Sequence, residues 1–512
     1  MDKMVTQMTQ MAMQLTIWAI TTSVQITINI LKVLIPFLFK GAIAVSKAIA
    51  DMVRQPRRVR DTHILVPGDR PPASFNEDHY DYRGIAKESQ LSELHQSGVS
   101  GVSLGRYLHP DGKVGNQLSL ANEQLYRGTV IIGASGSGKT HGIIEPWIVD
   151  ILRSGGSVIT VDIKGDAQHL QKIGQRLGVR VLYWNGCQPQ GSMSWNFLEA
   201  IAEYRDIEAA VECILGRSKA NDPNEFFHNR DVRWLRALIP LTKQVYGNNA
   251  KPCDLYRLVS DRDTLRAVFA ANPQLEPDNV NDLCMFTYEE HSKAISGLLN
   301  ALNLFLVPDT RAVTEHSDFE IADLGKQPTL LIIGAPLSFR KSSEVLSSIM
   351  LSQLITYVYR RLEVRGLGNV PLHFLIDEAA RLKDRINYEE FLSTARSART
   401  GITLALQDVT QLGTEREAQS VLANCQTAIV FAGCSHETAS FLQDRLGQRK
   451  VQKVGVNRRD LELFGGRNQS SEDAAVLGDR EIMHIPVGLY PAIVHARGIS
   501  AKPILVELDR HS

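Results

Sequence analysis

From Tyr126 onward the hydrophobic positions fall into short unbroken apolar runs, each followed by a stretch with helical spacing. "GTVIIG" reads as a buried strand with a helix after it over 139–153, "SVITVDI" as the next strand, and "VRVLYW" as a third after another helix. Further along come "PTLLIIGAP", a long helix over about 342–365, "PLHFLID", "GITLALQ", "TAIVFAG" and "YPAIVHA". Continuous apolar strands alternating with helices predict an α/β fold with a mostly parallel sheet covered on both faces. Between about 196 and 318 the strand pattern gives way to helical runs ("IEAAVECIL", "DVRWLRALIPLTKQVY", "DTLRAVFAAN", "HSKAISGLLNALNLFL"), which predicts an all-helical insertion. Residues 61–125, Pro/Gly-containing and then Gly/Ser-rich, read as connecting structure.

One segment departs from this pattern. From Gln14 to Ala50 the chain is mostly apolar, broken by Lys32, Lys40 and Lys47. About 20 apolar residues suffice to cross a bilayer, so residues 1–50 are read as a single membrane anchor. Arg54, Arg57, Arg58 and Arg60 follow it at once and mark the cytoplasmic side. The body after residue 51 is therefore expected inside the cell and the N-terminus outside. A signal peptide ending at Ala48-Ile49-Ala50, two short helices turning near Lys32, and an amphipathic helix on the membrane surface are the competing readings.

Composition narrows the class. The chain has 512 residues, with 56 Lys and Arg against 56 Asp and Glu, and 44% hydrophobic residues. That excludes collagen-like and wholly disordered chains, and a uniformly basic coat for nucleic acid, though not a local basic channel. The six cysteines form no C-x-x-C pattern, so they read as reduced thiols and not as a disulfide or zinc framework.

The strongest chemical signal is "GASGSGKT", comprising Gly133, Ala134, Ser135, Gly136, Ser137, Gly138, Lys139 and Thr140. It fits G-x-x-x-x-G-K-[ST] between a strand and a helix, as a phosphate-cradling loop requires. Backbone N–H groups curl around the phosphates, Lys139 reaches the β- and γ-phosphates of ATP, and Thr140 is a ligand for Mg2+. "PLHFLIDEAARL" places Asp377 and Glu378 at a strand's carboxyl end, where open α/β sheets bind ligands. Asp377 is expected to hold Mg2+ through water and Glu378 to polarise the attacking water. "GITLALQD" puts Gln407 at the end of the next strand, where an amide can report on the γ-phosphate. Arg396 and Arg399, in "STARSARTG", are either an arginine finger for a neighbouring subunit or solvated helix arginines. In "VDIKGD", Asp162 and the run from Lys164 to Asp166 suggest a coupling or interface role, or a plain strand-to-helix turn. Arg230, Arg233, Trp234 and Arg236 are the insertion's candidates for a single-stranded DNA contact, against a solvated helix face around a buried Trp.

Taken in order, these landmarks, with "MSWNFLEAI", "NDPNEFF" and "LFLVPDTRAVTEHSDFEIADL", resemble the type IV coupling proteins, the TraG/TraD-like ATPases of conjugation and type IV secretion. The resemblance covers most of residues 126–500. It implies a RecA-like P-loop domain from 126–195 and 319–512, a helical insertion at 196–318 contacting substrate, and a juxtamembrane connector at 51–125. It also implies a homo-hexamer at the inner membrane with ATP sites between subunits. Lys139, Thr140, Asp377, Glu378 and Gln407 take the nucleotide roles by matching position. The implied partners are type IV channel components and relaxase-bound single-stranded DNA or effector proteins. The chain departs from the family in offering one apolar stretch where members usually have two spans, and in closing soon after "ILVELDRHS" where many carry an acidic tail. Alternatives are an FtsK/HerA-like duplex translocase and an ATP-switched receptor with little turnover.

Overall fold

A computed structural model of the chain describes residues 84–94, 101–217, 223–272, 281–364, 366–457, 466–485, 488 and 490–508. The expected anchor and its basic flank lie outside the described residues, and among these no helix is long and apolar enough to cross a membrane.

The described body is built on one eleven-stranded sheet. Its strands are β1 (Gly101–Leu108), β2 (Val114–Ala121), β3 (Thr129–Ile132), β4 (Ser157–Asp162), β5 (Arg180–Asn185), β6 (Thr329–Gly334), β7 (Leu372–Ile376), β8 (Thr400–Leu406), β9 (Thr427–Phe431), β12 (Pro491–Ala496) and β13 (Ile504–Glu507). Their lateral order is β2-β1-β13-β12-β9-β3-β8-β7-β4-β6-β5. The run from β9 to β5 is parallel throughout. Every residue of β3, β4, β6, β7, β8 and β9 is buried. That is what unbroken apolar runs become when both sheet faces are covered. Alternate side chains feed opposite cores. Val130 and Ile132 pack on the face that carries helix α3 (Arg340–Glu363), and Ile131 on the face that carries helix α1 (Glu145–Arg153) with Trp147 and Ile148.

The other side of the sheet differs from the sequence reading. Residues 101–121, expected as connecting structure, form the antiparallel pair β1 and β2, which joins the sheet through β13 and β12. The reason lies at Gly105. Its φ of +82° and the register shift between Ser103 and Gly105 make a bulge that interrupts the period-two pattern. A Cβ at Gly105 would lie 2.3 Å from the Glu507 carbonyl oxygen, so the close approach of β13 requires glycine there.

Among the described residues, only helices lie between β5 and β6. The longest, α2 (Glu225–Tyr246), buries Trp234, Leu235, Leu238, Ile239 and Leu241. Each such side chain contributes about 1.5–3 kcal/mol on burial. β10 (Gln448–Asn457) and β11 (Gly466–Ala475) form a separate two-stranded ribbon.

Candidate nucleotide-binding site

The carboxyl ends of four neighbouring strands, β3, β8, β7 and β4, converge on one cavity of about 240 Å3. Its lining includes Ser135 to Thr140, Lys164, Asp377, Glu378 and Gln407. Residues far apart in the chain thus meet because strand order along the edge differs from chain order.

The loop after β3 is shaped for a backbone cradle. Gly136 and Gly138 have φ of +78° and +96°, conformations that side chains resist. A Cβ at Gly133 would lie 2.6 Å from Ser137 Oγ and 2.8 Å from Phe431 Cβ. Ser137 Oγ is itself buried with no hydrogen-bond partner, a polar atom left over for a ligand. Lys139 is buried and folds back on the loop, its Nζ donating to the carbonyl oxygens of Gly133 and, at 3.1 Å, Ala134. Burial lowers its pKa, and the nearby Asp377 carboxylate partly offsets this. The helix then opens with a π-turn over Thr140–Ile144. Pro146 accounts for it: the ring supplies no N–H to the Gly142 carbonyl and crowds it, so the preceding turn widens.

Thr140 Oγ1 donates to Asp377 Oδ2 at 2.9 Å. A hydroxyl and a carboxylate oxygen side by side are the hard oxygen donors that suit Mg2+. Asp377 Oδ1 accepts the Glu378 backbone N–H at 3.0 Å. That bond accompanies a left-handed backbone at Glu378, φ 50° and ψ 45°. Such strain in a non-glycine residue costs about 1–3 kcal/mol and clusters at functional sites. Gln407 sits between the phosphate loop and Asp377, its backbone N–H donating to Gln411 Oε1 at 3.0 Å.

With this geometry in place, comparison with known proteins gives a consistent answer. The family model for type IV secretory system conjugative DNA transfer matches residues 91–494. The chain belongs to this family. The VirD4 protein of Rhizobium rhizogenes is 22% identical over 428 residues, covering 78% of this chain and 61% of the relative. That of Rhizobium radiobacter is 21% identical, covering 77% and 59%. The chain thus spans about three fifths of the length of these relatives. Among solved structures, the conjugative coupling protein TrwB lacking its first 70 residues superposes with a TM-score of 0.63 at 18% identity, covering 84% of this chain and 93% of that one. TrwB has also been solved with a non-hydrolysable ATP analogue and with ADP and Mg2+ (TM-score 0.61, 19% identity for both), covering 84% of this chain and 94% and 93% of TrwB. At this identity the likeness establishes a shared α/β fold.

Not every sequence candidate of this family member joins the cavity. Arg396 and Arg399 precede β8, at the sheet edge opposite the chain's own phosphate loop, and both are exposed. They form no part of the site in their own chain. In the insertion, Trp234 is fully buried and its Nε1 donates to Asp282. Arg230 pairs with Asp231, Arg233 with Asp282 and Arg236 with Glu208. These four residues are thus a buried Trp ringed by neutralised arginines, not a basic strip.

Three residues of the cavity were not foreseen in these roles. Lys164, from the turn after β4, donates from Nζ to Thr140 Oγ1 at 2.9 Å and to Asp377 Oδ2 at 3.2 Å. Tyr490 and Leu508 close the side beyond β9, with the Tyr490 ring 3.3 Å from where a Gly138 Cβ would sit. The Leu508 N–H donates to the Tyr490 carbonyl at 3.2 Å, tying the two together.

Proposed function

We propose that this protein is a membrane-anchored ATPase that drives single-stranded DNA with its relaxase, or effector proteins, into a type IV secretion channel, working as a ring of six. The observation that carries the ATPase reading is the Thr140–Asp377 contact beside the phosphate loop, with Glu378 as the next residue. Family membership supports the transport reading.

In this reading Lys139 turns from the loop carbonyls toward the β- and γ-phosphates, while loop N–H groups and Ser137 Oγ bind phosphate oxygens. Thr140, and Asp377 through a water, would hold Mg2+, which would supply positive charge against the phosphates. Glu378 orients a water in line with the γ-phosphate and takes its proton. Gln407 contacts the γ-phosphate and senses its loss. Tyr490 and Leu508 offer an apolar wall for the base. Arg396 or Arg399 completes a neighbouring subunit's site. Residues 126–195 and 319–512 form the RecA-like motor, residues 1–50 the inner-membrane anchor and residues 51–125 the juxtamembrane connector, while the insertion at 196–318 meets the cargo. On the insertion Phe226 and Phe227 are 75% and 53% exposed and present flat apolar faces on which bases can stack.

The test is the ATPase rate of the full chain in lipid, against protein concentration, with and without single-stranded DNA, beside Glu378→Gln. The reading expects a rate per chain that rises with concentration and DNA and is lost in the variant. A near-zero rate despite ATP binding would favour a receptor switched by nucleotide. Stimulation by duplex DNA alone would favour a duplex translocase.

A further inference from the structure

The unforeseen contact of Lys164 has a specific chemical meaning. Its ammonium touches the same two oxygens, Thr140 Oγ1 and Asp377 Oδ2, that are placed to hold Mg2+. Mg2+ sits about 2.0–2.1 Å from its oxygen ligands in near-ideal octahedral geometry, so a metal held by this pair competes with the ammonium for the same oxygens. The turn that carries Lys164 is firmly held. Asp162 accepts the backbone N–H groups of Gly165, Asp166 and Ala167 at 2.9, 3.0 and 2.8 Å, and Gly165 takes the left-handed conformation. The side chain, by contrast, is 47% exposed. The backbone is fixed, while the half-exposed side chain has solvent to swing into once its two contacts are released.

We infer that Lys164 is a built-in stand-in for the metal: its ammonium holds the Thr140–Asp377 pair until Mg2+ displaces it. This rests on the nucleotide reading above and deepens it. Two consequences have opposite sign. Without metal, Lys164 supplies the second positive charge beside Lys139, so a nucleotide diphosphate still binds. With metal, it is a competitor, so it raises the Mg2+ concentration needed to load the site. A plain phosphate ligand or a structural lysine has only the first kind of effect.

The experiment titrates the full-length chain with mant-ADP, first in EDTA and then at increasing Mg2+, for wild type, Lys164→Met and Lys164→Arg. For Lys164→Met the expected result is at least a tenfold weaker Kd for mant-ADP in EDTA. The Mg2+ concentration for half-maximal binding should fall roughly threefold, as befits loss of a half-exposed ion pair. Lys164→Arg keeps the charge and should hold the EDTA affinity closer to wild type. Binding at saturating Mg2+ shows that each variant is folded. Weakening in equal proportion with and without Mg2+, or an unchanged metal dependence, would overturn the stand-in role and leave the nucleotide reading intact. Failure of the wild type to bind mant-ADP under any condition would instead remove the nucleotide reading itself.

Discussion

The strained backbone at Glu378 permits a sharp separation of catalysis from stability. Glu378→Gln and Glu378→Gly both delete the carboxylate, so both should abolish hydrolysis. They differ in the backbone. At φ 50° and ψ 45° an L-residue is disfavoured by about 1–2 kcal/mol. Glycine escapes that cost but loses about 0.5–1 kcal/mol more chain entropy on folding. The balance makes Glu378→Gly more stable than Glu378→Gln by about 0.5–1 kcal/mol, roughly a two- to fivefold change in the unfolding equilibrium. Urea unfolding followed by tryptophan fluorescence is suited to the measurement, because Trp147, Trp184, Trp195 and Trp234 are all buried and report on both the sheet and the insertion. If the glycine variant unfolds at the same or lower urea than the glutamine variant, the strain is not held in the native protein. The site would then not trade stability for geometry.

Other outcomes follow from the same structure. Arg396→Ala or Arg399→Ala chains, inactive alone, should regain ATPase activity when mixed with Glu378→Gln chains, because a mixed ring pairs an intact arginine with an intact glutamate; no recovery on mixing would exclude a finger acting between subunits. Tyr490→Ala should weaken ATP binding by about 1–3 kcal/mol while Tyr490→Phe keeps it, as read by fluorescent-nucleotide titration; equal affinities would mean that the base lies elsewhere. Burial pushes the His373 imidazole down to about 3, and burial reinforced by the Arg445 and Arg497 charges pushes His495 down to about 4. Both folded values lie below the unfolded value, so the unfolded chain binds more protons between about pH 6.5 and 4. Stability should therefore fall as pH drops through that window, by up to about 1.4 kcal/mol per pH unit for each histidine. His373→Gln should flatten the profile of urea midpoint against pH by one histidine's share, and an unchanged slope would refute the assignment.

What could be read from the chain and what could not divide along a physical line. The parallel core was legible because β3, β4, β6, β7, β8 and β9 are buried on both faces, and such strands announce themselves as unbroken apolar runs. On the antiparallel side β12 was read as "YPAIVHA", but β1 and β2 were not. β1 carries a bulge at Gly105, and β2 is a half-exposed edge strand, so neither shows a clean period. The same loss explains the site. Lys139, Thr140, Asp377, Glu378 and Gln407 stand at the ends of legible parallel strands, and the cavity contains all of them. Tyr490 and Leu508 reach it only because of the antiparallel segment. β12 runs against β9, so the residue before β12, not the one after it, lies at the carboxyl edge of the parallel strands. β13 reverses again and brings its own end there. A reader who knows only strand positions places catalytic side chains from one rule, that parallel strands deliver them at their carboxyl ends. That rule fails where direction is hidden.

Charge pairing was hidden in the same way. The arginines of "DVRWLRAL" form a basic stripe by helical spacing alone, yet their partners Glu208 and Asp282 come from segments before and after that helix. Asp231, beside Arg230 in the sequence, was the one partner in view. Lys164 is the mirror case: "VDIKGD" marked it only for a coupling or interface role or a plain turn, and it acquires its place in the cavity from Thr140 and Asp377 on two other strands' loops. Among charged residues, then, type and spacing nominate candidates, and the partner across the fold decides which of them has charge left to offer a ligand. By that criterion the cationic side chains facing the cavity are Lys139 and Lys164, one bound to loop carbonyls and the other to the metal-holding pair. Both must release an internal contact to meet a phosphate or to admit a metal. On the proposed reading, nucleotide binding is an exchange of hydrogen bonds within the site, and its dependence on Mg2+ should be set by how readily Lys164 yields its place.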